Sequence, residues 1–152
     1  MASECVLNCL DQNRGCLLED AIEIADQVLR SKVKDSGAAV GIAEFSETKI
    51  EYAAVGDTRL RVFDRSGTEV KGFLGKQGII GSNVKFTLCT ERKVLPPNGY
   101  TALLFSDGVR EPDFEAPLSL TNSTQDIVDA VMTACRRKHG DSTVAAVQVR
   151  PS

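Results

Sequence analysis

The feature that most constrains this chain is an apolar run that stops abruptly, in the segment Thr101-Ala-Leu-Leu-Phe-Ser-Asp-Gly-Val109. The run predicts a buried strand that ends at Ser106. Asp107 and Gly108 follow at once, so the strand has an acidic tip and then a residue that lets the backbone turn. A carboxylate at the end of a rigid strand suits a hard cation, but an Asp-Gly pair also suits a plain turn. The residue pattern leaves both interpretations of Asp107 open.

Two further aspartates lie at the ends of expected strands. Asp57 follows Gly56 after an alternating strand, and Asp141 lies just before the last strand. Both also suit tight turns, because an aspartate side chain can accept hydrogen bonds from nearby backbone amides. Mg²⁺ and Mn²⁺ prefer carboxylate ligands, and paired ions of this kind can drive phosphoryl hydrolysis. Three acidic strand ends therefore suggest metal-dependent phosphate chemistry without proving it. The basic residues that could bind phosphate are Arg59, Lys76 and Arg110.

Apolar residues at helical spacing predict three helices. The first two are expected over residues 2–12 and 17–31. The third is expected to begin near Ser123, because Ser123-Thr-Gln-Asp126 is typical of a helix start. Free cysteines on the helix faces are expected to act as small buried apolar residues.

The rest of the chain predicts a run of about six strands between the second and third helices, and one more strand after the third helix. These strands are expected over residues 38–45, 49–55, 60–63, 68–73, 85–90, 101–106 and 143–149. Segment 38–45 is almost wholly apolar, which is typical of a strand covered on both faces. Segments 72–84 and 110–122 are expected to be irregular loops. Strands that are grouped, instead of alternating with helices, favour an α+β fold with a mainly antiparallel sheet.

Composition narrows the class of protein. A chain of 152 residues predicts one domain over residues 1–152. A formal charge of −3 argues against non-specific binding to nucleic acid. No apolar run approaches the ~20 residues that span a bilayer, and no signal peptide is evident. The 5 cysteines lack a paired CxxC spacing, and with 1 histidine they do not suggest a zinc site. We therefore expect a cytoplasmic protein in a reducing compartment, with no membrane or nucleic-acid partner.

These motifs, taken in order, resemble those of the metal-dependent serine/threonine phosphatases of the protein phosphatase 2C (PPM) superfamily, in their SpoIIE-like branch. Within that branch the chain is most similar to the RsbX-type phosphatases, which reset the stressosome. The likeness runs from about residue 17 to residue 149, and it implies an α-β-β-α sandwich of two mainly antiparallel sheets flanked by helices. The matching segments are Ala38–Phe45, Lys49–Val55, Val55–Arg59, Leu104–Val109 and Asp141–Val144.

The resemblance also implies an activity and a set of site residues. It implies a protein serine/threonine phosphatase, a phosphoric monoester hydrolase that uses Mn²⁺ or Mg²⁺ at two sites. Asp107 would be a metal ligand and catalytic residue, with Gly108 shaping its turn, and Asp141 would be a second metal residue. Gly56 and Asp57 would form the structural turn of a family motif. The expected partners are phosphorylated STAS-domain regulators of a bacterial stressosome-like complex.

The sequence departs from the family pattern in two places. Family members carry an N-terminal segment with two metal-binding aspartates, one in a strand and one in a turn that enters the first helix. This sequence has no matching residues, so we expect an N-terminally shortened domain with the N-terminal strands absent. At the last motif, Gly140 stands where the family has its first aspartate, and Asp141 fills the second place. The alternative is therefore a catalytically degenerate or truncated phosphatase domain that acts as a binding-only regulatory module. An unrelated α+β structural protein is a third class.

Overall fold

The computed structural model describes residues 2–32, 37–95, 98–110, 122–135, 137 and 142–151. Two helices lead, six strands follow, and a third helix precedes the last strand. The helices are α1 (Ala2–Gln12), α2 (Leu18–Lys32) and α3 (Thr124–Cys135). The strands are β1 (Val40–Phe45), β2 (Lys49–Val55), β3 (Arg59–Asp64), β4 (Glu69–Leu74), β5 (Cys89–Val94), β6 (Tyr100–Phe105) and β7 (Val144–Val149).

The strands form two antiparallel sheets, which confirms the α+β class. One sheet has the order β1-β2-β5, and the other has the order β4-β3-β6-β7. Strand β6 is central in the second sheet, where Phe105 pairs with Arg59 of β3 on one side and with Val144 of β7 on the other. The last residue of β6 is therefore held between two neighbouring strands.

The chain divides into two compact units. The first consists of Met1–Glu44, Glu51–Thr58 and Leu74–Glu91, and the second of Phe45–Ile50, Arg59–Phe73 and Arg92–Ser152. The expectation of one domain over residues 1–152 stays a prediction.

The core of the first unit is built on the apolar faces of α1 and α2. In α2, residues four or three positions apart share one buried face, as the helical spacing predicts. This face packs with residues of α1, β1, β2 and the segment after β4. The buried members of this core are Val6, Cys9, Leu18, Ile22, Ala25, Leu29, Val40, Ala53, Val55 and Ile80.

The core of the second unit lies between α3 and the β3-β6-β7 strands. Its buried members are Phe63, Leu103, Phe105, Val109, Ile127, Val131 and Cys135. The predicted start of α3 is confirmed, because the Asp126 amide donates to Ser123 Oγ at 3.1 Å, and the Ser123 hydroxyl donates to an Asp126 carboxylate oxygen at 2.6 Å. This reciprocal cap satisfies amides that a helix start leaves without partners.

A tight hairpin turn joins β3 and β4. The Asp64 amide donates to the Thr68 carbonyl at 2.8 Å, and Gly67 has a φ of +91°. The Asp64 carboxylate accepts hydrogen bonds from Ser66 and Thr68. The bond from the Ser66 hydroxyl is the main reason that the pKa of Asp64 lies below its ordinary value.

Three expectations need correction. Strand β1 begins at Val40 and most of it is half-buried, because β1 is an edge strand of its sheet; full cover on both faces was wrong. The strand expected over 85–90 is instead Cys89–Val94, since Phe86 and Leu88 pack against the core of the first unit before the strand begins. The glycine-rich loop starts only at Gly75, because β4 extends to Leu74.

Several expected features lie outside the described residues. These are Gly140, Asp141 and the segment 111–121. In the part of the chain that is described, no helix is both long and apolar enough to cross a membrane.

Candidate functional site

Strand β6 carries Asp107 to the protein surface. All but one of the residues from Tyr100 to Phe105 are buried, and Phe105 is part of the core beneath α3. Ser106 is half-buried, and Asp107 is exposed. The predicted acidic tip is therefore confirmed as an exposed carboxylate at the end of a buried strand.

The turn that carries Asp107 is fixed on one side by the C-terminal end of α3. The Arg110 amide donates to the Cys135 carbonyl at 2.8 Å, and the Arg137 amide donates to the Gly108 carbonyl at 2.8 Å. Helix ends leave carbonyl groups without intrahelical partners, and the Cys135 carbonyl finds one in this turn. Burial raises the pKa of the Cys135 thiol, and the nearby Arg110 guanidinium partly offsets that rise.

The residues just before β7 fix the other side of the turn. The Ser142 hydroxyl donates to the Gly108 carbonyl at 2.8 Å. Thr143 and Ser106 are doubly paired: the Thr143 amide donates to Ser106 Oγ and the Ser106 amide donates to the Thr143 carbonyl, both at 3.1 Å. The structure thus brings the Asp107 turn together with residues 142–143, which directly follow Asp141 in sequence. Asp141 itself lies outside the described residues, so its role as a ligand stays a prediction.

The second predicted motif, Gly56-Asp57, is a turn in the first unit. Asp57 is exposed, and Gly56 has a φ of +91°, which favours glycine. The segment after β4 lies across this turn. The Gly56 amide donates to the Lys76 carbonyl at 2.7 Å, and the Gly75 amide donates to the Thr58 carbonyl at 3.0 Å. The loop that was predicted from its glycines is therefore the partner of this turn.

A buried tyrosine completes the Asp57 turn. The Tyr52 hydroxyl donates to the Thr58 carbonyl at 2.9 Å and lies 3.0 Å from Thr58 Oγ1. Burial raises the pKa of Tyr52 to about 12. The alternation of Ile50, Tyr52 and Ala54 places the ring on one side of β2, but only the folded turn supplies the acceptor.

The three basic candidates for phosphate binding lie in different places. Arg59 begins β3 and pairs with Phe105, so it stands at the same end of the second sheet as the Asp107 turn. Arg110 is exposed directly after that turn, and Lys76 is exposed on the loop of the first unit. The structure thus groups Arg59 and Arg110 at the sheet end that presents Asp107.

Sequence reasoning missed the two serines that hold the Asp107 turn, Ser106 and Ser142. Both stand inside quoted motifs, and small hydroxyl residues beside a turn glycine are a signal for side-chain bonds to the backbone. Among the described residues, no three His, Cys, Asp or Glu side chains form a group that could hold a metal ion. Asp107 lies within the described residues, and its role as a metal ligand stays a prediction.

No protein-family model matches the sequence, and no curated protein matches it significantly. Several solved structures do match the fold of this chain. RsbX in complex with magnesium is 21% identical with a TM-score of 0.73, over 97% of this chain and 72% of that one. The serine/threonine phosphatase PstP from Mycobacterium tuberculosis is 14% identical with a TM-score of 0.68, over 99% and 82%. The SpoIIE phosphatase domain from Bacillus subtilis is 18% identical with a TM-score of 0.55, over 99% and 73%.

These likenesses extend over nearly all of the chain at low sequence identity. Similarity at this level demonstrates a shared fold. It does not establish a shared activity, because one fold can carry several functions. The chain therefore has the fold of the PPM phosphatases, with RsbX and SpoIIE among its structural neighbours. The resemblance drawn from the sequence motifs is confirmed at the level of the fold.

Proposed function

We propose that this chain is a metal-dependent protein serine/threonine phosphatase that acts on a small bacterial signalling regulator, as RsbX-type phosphatases do. The observation that carries the proposal is the Asp107 turn: an exposed carboxylate at the end of a buried strand, with its backbone held from two sides. A group that must meet a metal ion and a phosphate gains from such prior placement, because little reorganisation remains for the reaction.

The donor chemistry of the turn fits one ligand of a Mg²⁺ or Mn²⁺ site. A carboxylate oxygen is the donor that these hard ions prefer, and Asp107 is exposed enough to take part. A two-ion site needs further ligands, and we propose Asp141 as one of them. When bound, such ions lower the pKa of a water molecule and neutralise charge on phosphoryl oxygens. RsbX, a structural neighbour, was solved in complex with magnesium.

The substrate and its setting follow from the resemblance. We propose that the partner is a phosphorylated STAS-domain protein of a stressosome-like complex, and that the reaction takes place in the cytoplasm. The exposure of Asp107 and Arg110 supports a protein substrate, because a phosphorylated side chain on another molecule can reach them without entering a deep cavity. Arg110 and Arg59 are the candidates for binding its phosphate oxygens.

The test is phosphate release with and without Mn²⁺, measured with p-nitrophenyl phosphate and with a phosphoserine form of a STAS-domain protein. Asp107→Ala is expected to lower the rate about 100-fold or more, because it removes a metal ligand, and to leave folding intact, because the side chain is exposed. Asp129→Ala is the matched control, since Asp129 is also an exposed acid of the second unit. Equal rates in the two variants would exclude the assignment of Asp107.

The departure at Gly140 supports a second candidate, a binding-only module with the same fold. A glycine at that position offers no carboxylate, whereas the family has a ligand aspartate there. This candidate predicts no phosphate release at any Mn²⁺ concentration, together with measurable binding of the phosphorylated STAS-domain protein by calorimetry. Mn²⁺-dependent release that Asp107→Ala abolishes would rule it out.

A further inference from the structure

Helix α2 carries a buried carboxylate that belongs to none of the sequence motifs and has no role in the proposed activity. Asp26 is 9% exposed, on the same helix as the core residues Ile22, Ala25 and Leu29. An ionised group in such a place is strongly destabilising unless hydrogen bonds and an opposite charge compensate it. Asp26 is therefore expected to have specific partners, and it does.

Its two oxygens bind two different elements. Asp26 Oδ2 accepts a hydrogen bond from Arg30 Nε at 2.8 Å, one turn further along the same helix. Asp26 Oδ1 accepts one from the Gly81 amide at 2.6 Å, from a residue 55 positions away in the chain. Bonds to a charged acceptor are about twice as strong as neutral ones. The first contact compensates the charge, and the second ties the loop after β4 to the helix.

Backbone bonds connect the same loop to the Asp57 turn. Ile80, next to Gly81, exchanges two hydrogen bonds with Ala38, at 3.0 and 3.1 Å. At the other end of the loop, Lys76 accepts from the Gly56 amide at 2.7 Å. A Cβ atom on Gly56 would also lie 3.0 Å from the Gly78 carbonyl, so loop and turn are in close contact. A displacement of the loop at Gly81 is therefore expected to displace the Asp57 turn as well.

We propose that Asp26 is a positioning residue: through the Gly81 amide it fixes the loop of residues 75–81, and through that loop it fixes the turn that presents Asp57. The consequence for catalysis rests on the proposed phosphatase function. The bond from Arg30 holds the carboxylate in the orientation in which its other oxygen meets the Gly81 amide. The competing explanation is that the pair only stabilises α2, in which case neither the loop nor the turn depends on it.

Amide hydrogen exchange followed by NMR tests the positioning without any need for activity. Asp26→Ala is expected to speed exchange at Gly81 and at Gly56 about tenfold or more, relative to amides inside α2. Asp26→Asn keeps an oxygen that can accept from Gly81, so exchange at Gly81 and Gly56 is expected to rise less, by about threefold. Glu23→Ala, an exposed acid on the same helix, is the charge control. Unchanged exchange at Gly56 in Asp26→Ala would overturn the proposal.

If Asp26→Ala fails to fold, Asp26→Asn takes its place. The weaker neutral acceptor should then raise exchange at Gly81 and Gly56 by about threefold while the amides of α2 keep their protection. An equal rise at all of these amides would mean general destabilisation, and it would overturn the positioning role.

The kinetic readout uses Mn²⁺-dependent hydrolysis of p-nitrophenyl phosphate. Because the proposed phosphatase function would use the Gly56-Asp57 motif, Asp26→Ala, which displaces that turn, is expected to lower kcat about tenfold with KM within about twofold. Val6→Ala, which removes core volume on α1, is the control of similar stability loss. An equal kcat in Val6→Ala and Asp26→Ala would refute the positioning role. A wild-type protein without hydrolysis would refute the phosphatase proposal instead, and Gly56 exchange would then decide the role of Asp26.

Discussion

The Asp57 turn and the Asp107 turn both present an exposed aspartate after a strand, and backbone and hydroxyl hydrogen bonds hold both; close packing at Gly56 distinguishes the first, and two serine hydroxyls distinguish the second. At the first, Gly56 packs closely against two neighbouring segments: a Cβ atom on Gly56 would lie 2.6 Å from the Ala39 Cβ and 3.0 Å from the Gly78 carbonyl oxygen. At the second, hydroxyl groups bind the backbone: Ser106 Oγ accepts from the Thr143 amide, and the Ser142 hydroxyl donates to the Gly108 carbonyl.

This difference predicts which of the two turns tolerates substitution with a smaller loss of stability. Close packing leaves no room for an added atom, so the Asp57 turn should respond sharply to any side chain at Gly56. Hydrogen bonds from partly exposed serines can be replaced in part by water, so the Asp107 turn should respond mildly to the loss of one of them. Four sets of variants test this contrast, and a fifth concerns a buried hydroxyl in β6.

Gly56→Ala should have the largest effect on stability. Alanine at a φ of +91° is strained, and its Cβ would overlap with Ala39, so we expect a loss of about 3 kcal/mol or more in the free energy of unfolding. Gly15→Ala is the control: Gly15 has a φ of +95° but no atom within 4 Å of the added Cβ, so only the strain of about 1 kcal/mol applies. Urea unfolding measures both. Equal losses of stability in Gly56→Ala and Gly15→Ala would show that the overlap with Ala39 does not contribute.

Tyr52→Phe should have the next largest effect, and that effect should depend on pH. The folded protein holds the phenol neutral, raising its pKa from 10.0 to about 12, so this stabilisation is complete below pH 10 and is lost as the pH rises toward 12. The wild type should therefore lose stability between pH 10 and pH 12, and Tyr52→Phe should lose less over that window. At pH 7 the variant should be less stable by about 1 kcal/mol, because Thr58 loses a donor.

Tyr100→Phe is the matched variant in the second unit. The Tyr100 hydroxyl donates to the Ser46 carbonyl at 2.6 Å, and burial raises its pKa to about 12 as well. The same alkaline dependence is expected, but the Tyr100 hydroxyl binds Ser46, which belongs to neither turn. Amide exchange at Gly56 should therefore rise in Tyr52→Phe and not in Tyr100→Phe. The reverse result would contradict the role assigned to Tyr52.

Ser106→Ala and Ser142→Ala should each lower the free energy of unfolding by about 0.5–1.5 kcal/mol, since each removes one hydrogen bond at the Asp107 turn. We expect the double variant to lose more than either single variant, with a measurable coupling energy because both serines hold the same short turn. Thr133→Ala, which removes an exposed hydroxyl bond to the Asp129 carbonyl on α3, is the control. A loss above about 3 kcal/mol in either serine variant would mean that the two turns are equally intolerant.

Thr101→Val should have the smallest effect, and its sign should be opposite. Thr101 is 0% exposed, and its hydroxyl has no hydrogen-bond partner among the described residues. Replacing an unsatisfied buried hydroxyl with a methyl group of similar shape should raise stability by up to about 1 kcal/mol. Thr90→Val, at an exposed position of β5, controls for the strand preference of valine. A destabilised Thr101→Val would indicate a polar partner for that hydroxyl.

Most of the fold could be predicted because the signals were local. The spacing of apolar residues placed α1 and α2, and the Ser123 cap placed the start of α3. Errors arose where an element depended on its neighbours. Segment 85–88 has the residues of a strand, but Phe86 packs into the first core and the ladder begins only at Cys89.

The candidate site was predicted in part, for the same reason. The acidic tip at Asp107 follows from one strand and one turn. The distant partners of Ser142 and Asp26 could not be predicted, because Ser142 and Gly108 are 34 positions apart and Asp26 and Gly81 are 55 apart. Neither the spacing of apolar residues nor a local motif relates two residues that are so far apart in the sequence.

The amino-acid sequence alone determined the helices, the grouping of strands and the placing of an aspartate after β6, since these depend on residues close together in the chain. The tertiary structure decided which segments fix each turn. Hydrogen bonds such as Asp26 to Gly81 and Ser142 to Gly108 exist only when distant segments lie within about 3 Å of each other, and that proximity is a property of the packed fold.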